Sequence, residues 1–267
     1  MFELKKLQTE AICLLKELIS IKSFSFEEDK TAYKIETWLK KKGIETKRDV
    51  NNIISFNKYF DESKPNILLN SHHDTVEPNS AYTNDPFSPL IINEKLYGLG
   101  SNDAGGALVS LLSTFLHFYN RKDLKHNIIF LASAEEERSG PNGISSVIPE
   151  LPEIDLAVIG EPTLMDIAVA EKGLIVFDLI VKGTSSHAAH KNLDNSINKA
   201  MKIIDKISKI KFSKKSDLLG EVKLTTTQIN AGVQHNVVPA DVKIVLDVRV
   251  NDEYTNLSLI HISEPTR

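Results

Sequence analysis

Apolar residues recur at helical spacing at Leu4, Leu7, Ala11, Leu14, Leu15 and Leu18, which predicts an amphipathic helix over residues 4–19. Cys13 falls inside that apolar pattern and is expected in the core. Ser25 followed by Glu28 has the form of a capping box, predicting a second helix that runs through Trp38 and stops near Gly43. Residues 52–56 and 67–70 read as strands, and residues 104–119 as a helix with Leu108, Leu111, Leu112, Phe115 and Leu116 on one face. The run 127–134 is apolar throughout, as expected of a strand in a sheet covered on both faces, and 155–160 reads the same way. Strands alternating with helices predict an α/β layer fold.

The pattern changes after Glu171. A strand over 174–181 is followed by an amphipathic helix over 195–211 with Ile197, Met201, Ile204 and Ile207 inward. Residues 222–229 and 242–250 then alternate as half-buried strands, the second with Val242, Ile244, Leu246 and Val248 on one face. This is the pattern of a compact α+β unit with its own sheet, and it places a domain boundary near residue 170.

Composition changes this picture little. The 267 residues are 41% hydrophobic and 25% charged, as in ordinary globular proteins. A net charge of -4 makes no case for nucleic acid or anionic membrane, and the lysines at 40–42 and 206–215 read as solvated helix faces. One cysteine excludes an intrachain disulfide framework and a cysteine-based zinc knuckle. The N-terminus lacks the apolar stretch of a signal peptide and no run reaches the length of a membrane span, so a cytoplasmic location is the default expectation.

The chemistry gathers at strand ends. In Asn70-Ser71-His72-His73-Asp74-Thr75-Val76, His72 and Asp74 are two residues apart and share a side of an extended chain. A carboxylate that takes the N–H of one imidazole nitrogen leaves the other free for a metal; the competing reading is a local hydrogen bond at a strand-to-loop junction. Asp103 lies in Tyr97-Gly98-Leu99-Gly100-Ser101-Asn102-Asp103-Ala104-Gly105-Gly106, either as a ligand or as a helix cap. A nucleotide-binding loop is disfavoured there: Asp103 occupies the place of the third glycine of the dinucleotide fingerprint, and no Gly-Lys-Ser/Thr is present. Glu135-Glu136-Glu137 directly follows the apolar run 128–131, and Glu161 follows another in Gly160-Glu161-Pro162-Thr163. Ligands of open α/β sheets bind outside the carboxyl ends of strands, where adjacent like charges are costly unless a cation neutralises them.

Taken in order, Ser-His-x-Asp-Thr-Val, Tyr-Gly-x-Gly-x-x-Asp-x-x-Gly-Gly, Ala-Glu-Glu-Glu and Gly-Glu-Pro-Thr resemble the M20 family of metallopeptidases and deacylases, over residues 4–254, with acetylornithine deacetylase-like members nearest in detail. The resemblance implies a zinc-peptidase-like catalytic domain over 1–170, a mixed sheet between helices, with an inserted α+β dimerisation or lid domain over 171–256. It implies two zinc ions, with cobalt as an alternative. His72 and Glu161 would bind the first, Glu137 the second, and Asp103 would bridge them. Asp74 would orient His72, Glu136 would be the general base, Glu135 stands where the family often has aspartate, a departure read as neutral, and the Asp103–Ala104 peptide would be cis. His187, in Gly183-Thr184-Ser185-Ser186-His187, would reach a partner subunit's active site and stabilise the tetrahedral intermediate. Asn236 and Arg249 would hold the substrate's α-carboxylate; Arg249's planar fork suits that, although a salt bridge with Asp247 is the alternative. His73, His117, His126 and His235 read as ordinary polar residues.

The expected activity is zinc-dependent hydrolysis of an N-acyl amino acid by a homodimer joined through 171–256, with N-acetylornithine, an arginine-biosynthesis substrate, first. Succinyl-diaminopimelate, succinylornithine and dipeptides are the alternatives within the class, and a non-catalytic dimerising module is the alternative outside it. The resemblance also implies roughly another hundred residues that complete the catalytic domain and supply a last histidine for the second zinc. Residues 257–267 depart from the family pattern and resemble sequencing-adapter read-through, so His261 is not assigned. On that reading this exact chain would expose a sheet edge, be poorly soluble and have little activity.

Overall fold

The structure is a computed structural model that describes residues 2–255 and 257–259. It comprises two compact units, Met1–Met165 and Asp166–Arg267.

In the first unit, α1 (Phe2–Ile19) and α2 (Asp29–Lys41) precede β1 (Lys47–Asp49), β2 (Asn52–Phe56) and β3 (Asn66–His72). A small hairpin, β4 (Leu90–Ile92) and β5 (Lys95–Tyr97), leads to α3 (Ala107–Phe118), β6 (Asn127–Ser133), the short α4 (Ile144–Val147) and β7 (Leu156–Ile159). The mixed sheet runs in the order β1-β2-β6-β3-β7. β3 is parallel to both β6 and β7, while β2 is antiparallel to β6 and to β1.

Alternation along the central strands gives each face its own core. Ile53, Leu69 and Phe130 pack with Leu14, Ile35, Leu108, Leu112 and Phe115 of the helices. Ile54, Leu68, Ile129 and Leu131 pack on the other side with Val147, Phe56 and Phe60. Covering on both faces explains why all of β6 is buried. β7 departs from the sequence expectation: it is the sheet edge, and Leu156, Val158 and Ile159 are exposed.

Three local readings change. Cys13 is exposed, because it lies off the stripe of Ala11, Leu14, Leu15 and Leu18 that α1 buries. α2 starts at Asp29 with no side-chain cap, so Ser25 and Glu28 form no capping box; both side chains are drawn elsewhere. α3 starts at Ala107, three residues later than its sequence pattern suggests, because Asp103 and Ala104 have non-helical backbone angles.

The second unit holds β8 (Gly173–Lys182), β9 (Ser186–His187), α5 (Ser196–Ser208), β10 (Lys215–Ser216), β11 (Gly220–Glu221), β12 (Lys223–Ala231), β13 (Val237–Val238) and β14 (Asp241–Val250). Its sheet is β12-β14-β8, antiparallel throughout. Val242, Ile244 and Leu246 of β14 meet Val181 of β8 and Ala200 and Ile207 of α5. Asn195 caps α5, its side chain accepting from the N–H groups of Ile197 and Asn198. Ile197 and Met201, expected inward, are exposed; Ala200, Ile203, Ile204 and Ile207 form the buried stripe instead. Leu259 packs with Val222, Val248 and Val250, and residues 260–267 of the expected tail lie outside the described residues. Among the described residues no helix is long and apolar enough to cross a membrane.

Candidate metal centre

β3, β6 and β7 all deliver their carboxyl ends to one edge of the first unit's sheet, and the candidate residues follow those ends directly. His72 is the last residue of β3 and is 1% exposed. Its Nδ1 lies 3.0 Å from the carbonyl oxygen of Asp74 and 3.4 Å from Asp74 Oδ1. Both contacts are acceptors, so Nδ1 carries the proton and Nε2 faces the carboxylates. Around Nε2 stand Asp103 Oδ1 at 3.1 Å, Glu161 Oε2 at 3.8 Å and Glu136 Oε2 at 4.0 Å. His72, Asp103 and Glu137 each present one ligand atom, and the three atoms lie within 4.8 Å of one another.

Local backbone explains each placement. Gly100 takes a left-handed conformation (φ 74°), the chain then turns through Ser101–Gly106 before α3, and the Asp103–Ala104 peptide is cis. Asp103 caps no helix. Glu161 is set by Gly160, whose N–H donates to Asn70 O at 2.8 Å and whose carbonyl accepts from Ser71 Oγ at 2.8 Å. A Cβ at Gly160 would lie 2.8 Å from Leu111 Cδ1 and 3.0 Å from Ala107 Cβ, so only glycine lets the chain pass α3 here.

Glu136 and Glu137 stand in a tight turn whose preceding residue, Glu135, is left-handed (φ 55°). A non-glycine residue in that region costs about 1 kcal/mol, and hydrogen bonds offset it. Glu135 is buried, and its carboxylate accepts from the Asn142 N–H at 3.0 Å and the Asn142 side-chain amide at 2.9 Å. The position with no role assigned from the family pattern is therefore the anchor of the turn. Asp74, wholly buried, accepts from the N–H groups of Glu136 (Oδ1, 3.1 Å) and Glu137 (Oδ2, 3.1 Å) and from the Ser25 hydroxyl (Oδ2, 2.7 Å).

The electrostatics record the crowding of carboxylates. Burial alone would lower the basicity of His72, but the hydrogen bond and charge of Asp74, with Glu161 and Glu136, push its pKa up to about 10. Glu161 is raised to about 7 by burial and by Glu136, Asp103 and Glu137; Glu137 is raised by burial and Asp103. Asp74 is held below the usual range despite its burial, by bonds from His72, Ser25 and the Glu136 N–H. The arrangement fits a divalent cation: one imidazole nitrogen and convergent carboxylates are donors that such an ion takes, and its charge would relieve the repulsion that raises the glutamates. His73 behaves oppositely. Buried between the Thr31 hydroxyl (2.9 Å from Nδ1) and Asn51 O (2.9 Å from Nε2), it is lowered to about 4 by burial and stays neutral. It is a scaffold residue that ties β3 to α2.

His187, Asn236 and Arg249 belong to the second unit. β9 pairs with β13, setting Val237 opposite His187, and the Ala188 N–H donates to Asn236 O at 2.9 Å, so His187 and Asn236 are neighbours. His187 is exposed. Arg249 is engaged by Asp247 through two hydrogen bonds, at 2.9 and 3.2 Å.

Residues 169–262 match the family model of the peptidase dimerisation domain, M20 type. Over 259 residues the chain is 28% identical to succinyl-diaminopimelate desuccinylase of Rickettsia canadensis, covering 89% of this chain and 67% of that protein. The fold is that of an M20 family metallo-carboxypeptidase from Sulfolobus solfataricus (TM-score 0.69, 17% identity, 95% of this chain and 74% of the other). It is also similar in architecture to a dinuclear metal-binding M20 peptidase from Bacillus subtilis (TM-score 0.62, 18% identity, 97% and 67%). The chain thus spans about two thirds of the length of the proteins it matches.

Proposed function

We propose that the chain, M20-type by its match to the peptidase dimerisation domain and its likeness to M20 peptidases and deacylases, hydrolyses the amide bond of an N-acyl amino acid. The observation that carries the reading is the meeting of His72, Asp103 and Glu137, with Glu161 and Glu136 facing the same imidazole nitrogen. His72, Asp103, Glu137 and Glu161 would hold the zinc. When bound, the metal supplies Lewis-acid polarisation of the amide carbonyl and a water reactive near neutral pH.

The chain's own residues do the rest. Asp74 keeps the Nδ1 proton of His72 in place and fixes the ring. Glu136 is half exposed, and its carboxylate stands beside the ligand atoms, free to accept the proton of the attacking water and return it to the leaving amine. His187 would donate to the developing oxyanion in a partner subunit, and Asn236 and Arg249 would hold the substrate's carboxylate, Arg249 exchanging Asp247 for it. The match to a dimerisation domain supports a homodimer through the second unit.

Among acyl groups, succinyl-diaminopimelate takes first place because that activity names the relative from Rickettsia canadensis. N-acetylornithine, first on motif detail, becomes its competitor. A panel of N-succinyl and N-acetyl amino acids and dipeptides, assayed with added zinc, tests the reading. Hydrolysis of the succinylated substrate that is lost in Glu136→Gln supports it. A zinc-loaded protein of the full length of that relative that carries this chain and cleaves none of the panel would sink it in favour of a dimerising module.

A further inference from the structure

Among the described residues Glu28 is a fully buried acid near the site for which the mechanism above has no use. Its side chain is 0% exposed, Oε1 accepts the Glu135 N–H at 2.9 Å, and Oε2 is buried with no hydrogen-bond partner among the described residues. A buried carboxylate oxygen without a partner is costly, so this side chain is not there to stabilise the fold cheaply. Three residues earlier Ser25 donates to Asp74 Oδ2 at 2.7 Å. Of the two side chains of this turn, Glu28 caps the turn of the glutamates directly and Ser25 holds the carboxylate that caps the rest of it. The consecutive N–H groups of Glu135, Glu136 and Glu137 end on Glu28, Asp74 and Asp74 respectively.

The turn is itself fixed. The Thr75 N–H donates to Ser23 O and the Glu27 N–H to Phe24 O, both at 2.8 Å, and Phe24 bridges to Thr75 alongside the exit of β3. Phe26 lies against the far end of the same loop: a Cβ on Gly140 would be 2.8 Å from its ring.

We propose that Glu28, with Ser25, is a positioning residue of the metal centre: the Ser25–Glu28 turn sets the backbone of Glu135–Glu137 so that Glu136 and Glu137 arrive at His72. Glu28 touches neither metal nor substrate and acts through the Glu135 N–H. The inference rests on the metal-centre reading, and not on which substrate is cleaved.

The test uses Glu28→Ala, Glu28→Gln and Ser25→Ala in this chain. Zinc affinity is read by competition with a chromophoric chelator, and amide hydrogen exchange is read over residues 134–140. Glu28→Ala should weaken zinc by about 10–100-fold, the range for groups behind a ligand, and speed exchange at Glu135–Glu137 by about tenfold. Glu28→Gln keeps an acceptor oxygen and should restore both. Ser25→Ala should weaken zinc while leaving exchange at Glu135 unchanged. Unchanged zinc affinity in a folded Glu28→Ala, or a Glu28→Gln as defective as the alanine variant, would overturn the proposal. A wild-type chain that binds zinc leaves this proposal standing whatever it cleaves, while a full-length protein that binds zinc yet cleaves no substrate defeats the substrate reading alone. One that binds no zinc defeats both.

Discussion

Asp74 holds Glu136 through the backbone and not through its side chain: Oδ1 accepts the Glu136 N–H at 3.1 Å while the same carboxylate faces Nδ1 of His72. One buried anion thus fixes the metal-facing ring and the residue assigned as base. Asp74→Asn removes the charge and turns one acceptor into a donor facing an N–H. Zinc affinity should fall about 10–100-fold, measured by chelator competition.

Glu136→Gln separates binding from chemistry. Its carboxylate is 4.0 Å from His72 Nε2, farther than Asp103 or Glu161. Turnover of the succinylated substrate should fall by about 10²–10⁴ with zinc content unchanged by metal analysis. Loss of metal along with activity would reassign Glu136 as a ligand.

The metal-free chain should lose stability as pH rises. Glu161 is raised from 4.5 to about 7 and His72 from 6.5 to about 10, so between pH 4.5 and 10 the folded state holds protons that the unfolded state has released. Stability then falls with rising pH. The His72 contribution is full below about 6.5 and lost through about 10; that of Glu161 is full below 4.5 and lost through about 7. His73, lowered to about 4, opposes this below pH 6.5, so thermal midpoints with chelator present should decline from pH 7 to 9, and excess zinc should flatten the decline because the metal replaces those protons. Calorimetry in buffers of different ionisation enthalpy should also show proton release on zinc binding.

Gly160→Ala should cost about 1–3 kcal/mol, as overpacking does, since the new methyl meets Leu111 and Ala107 of α3. Chemical denaturation measures this. A neutral result would mean that β7 shifts freely at its end, and that Glu161 is less firmly held than its hydrogen bonds suggest.

Much of the catalytic scaffold was legible in the sequence because β3 and β6 are buried on both faces and advertise it as unbroken apolar runs. The helices were legible for their 3.6-residue period, but not which margin of the stripe is covered. Cys13 and Met201 lie at such margins and are exposed. Motif order located His72, Asp103, Glu136, Glu137 and Glu161, whose settings are local. It missed Ser25, Glu28 and Glu135, because their partners are long-range: Ser25 reaches Asp74, and Glu28 reaches a backbone N–H more than a hundred positions away. A serine and a glutamate three apart before a helix look like a cap whichever way they turn. An exposed sheet edge was expected from the resemblance, but not that β7 would be that edge, since an apolar strand does not declare whether it is central or terminal.

The His72–His73 doublet makes strand register a chemical variable. Neighbouring residues of an extended strand face opposite ways, and here one imidazole faces a ring of carboxylates while the next is locked to Thr31 and Asn51. The pairing of His72 with Ser133 decides which is which. A slip of β3 by one residue against β6 would keep an imidazole at the metal position, but it would be His73, stripped of its two scaffold bonds, with Asp74 displaced to the wrong side. The apolar alternation of Leu68 and Leu69 between two cores opposes that slip. Hydrophobic sorting deep in the sheet thereby selects which imidazole faces the carboxylates at its edge.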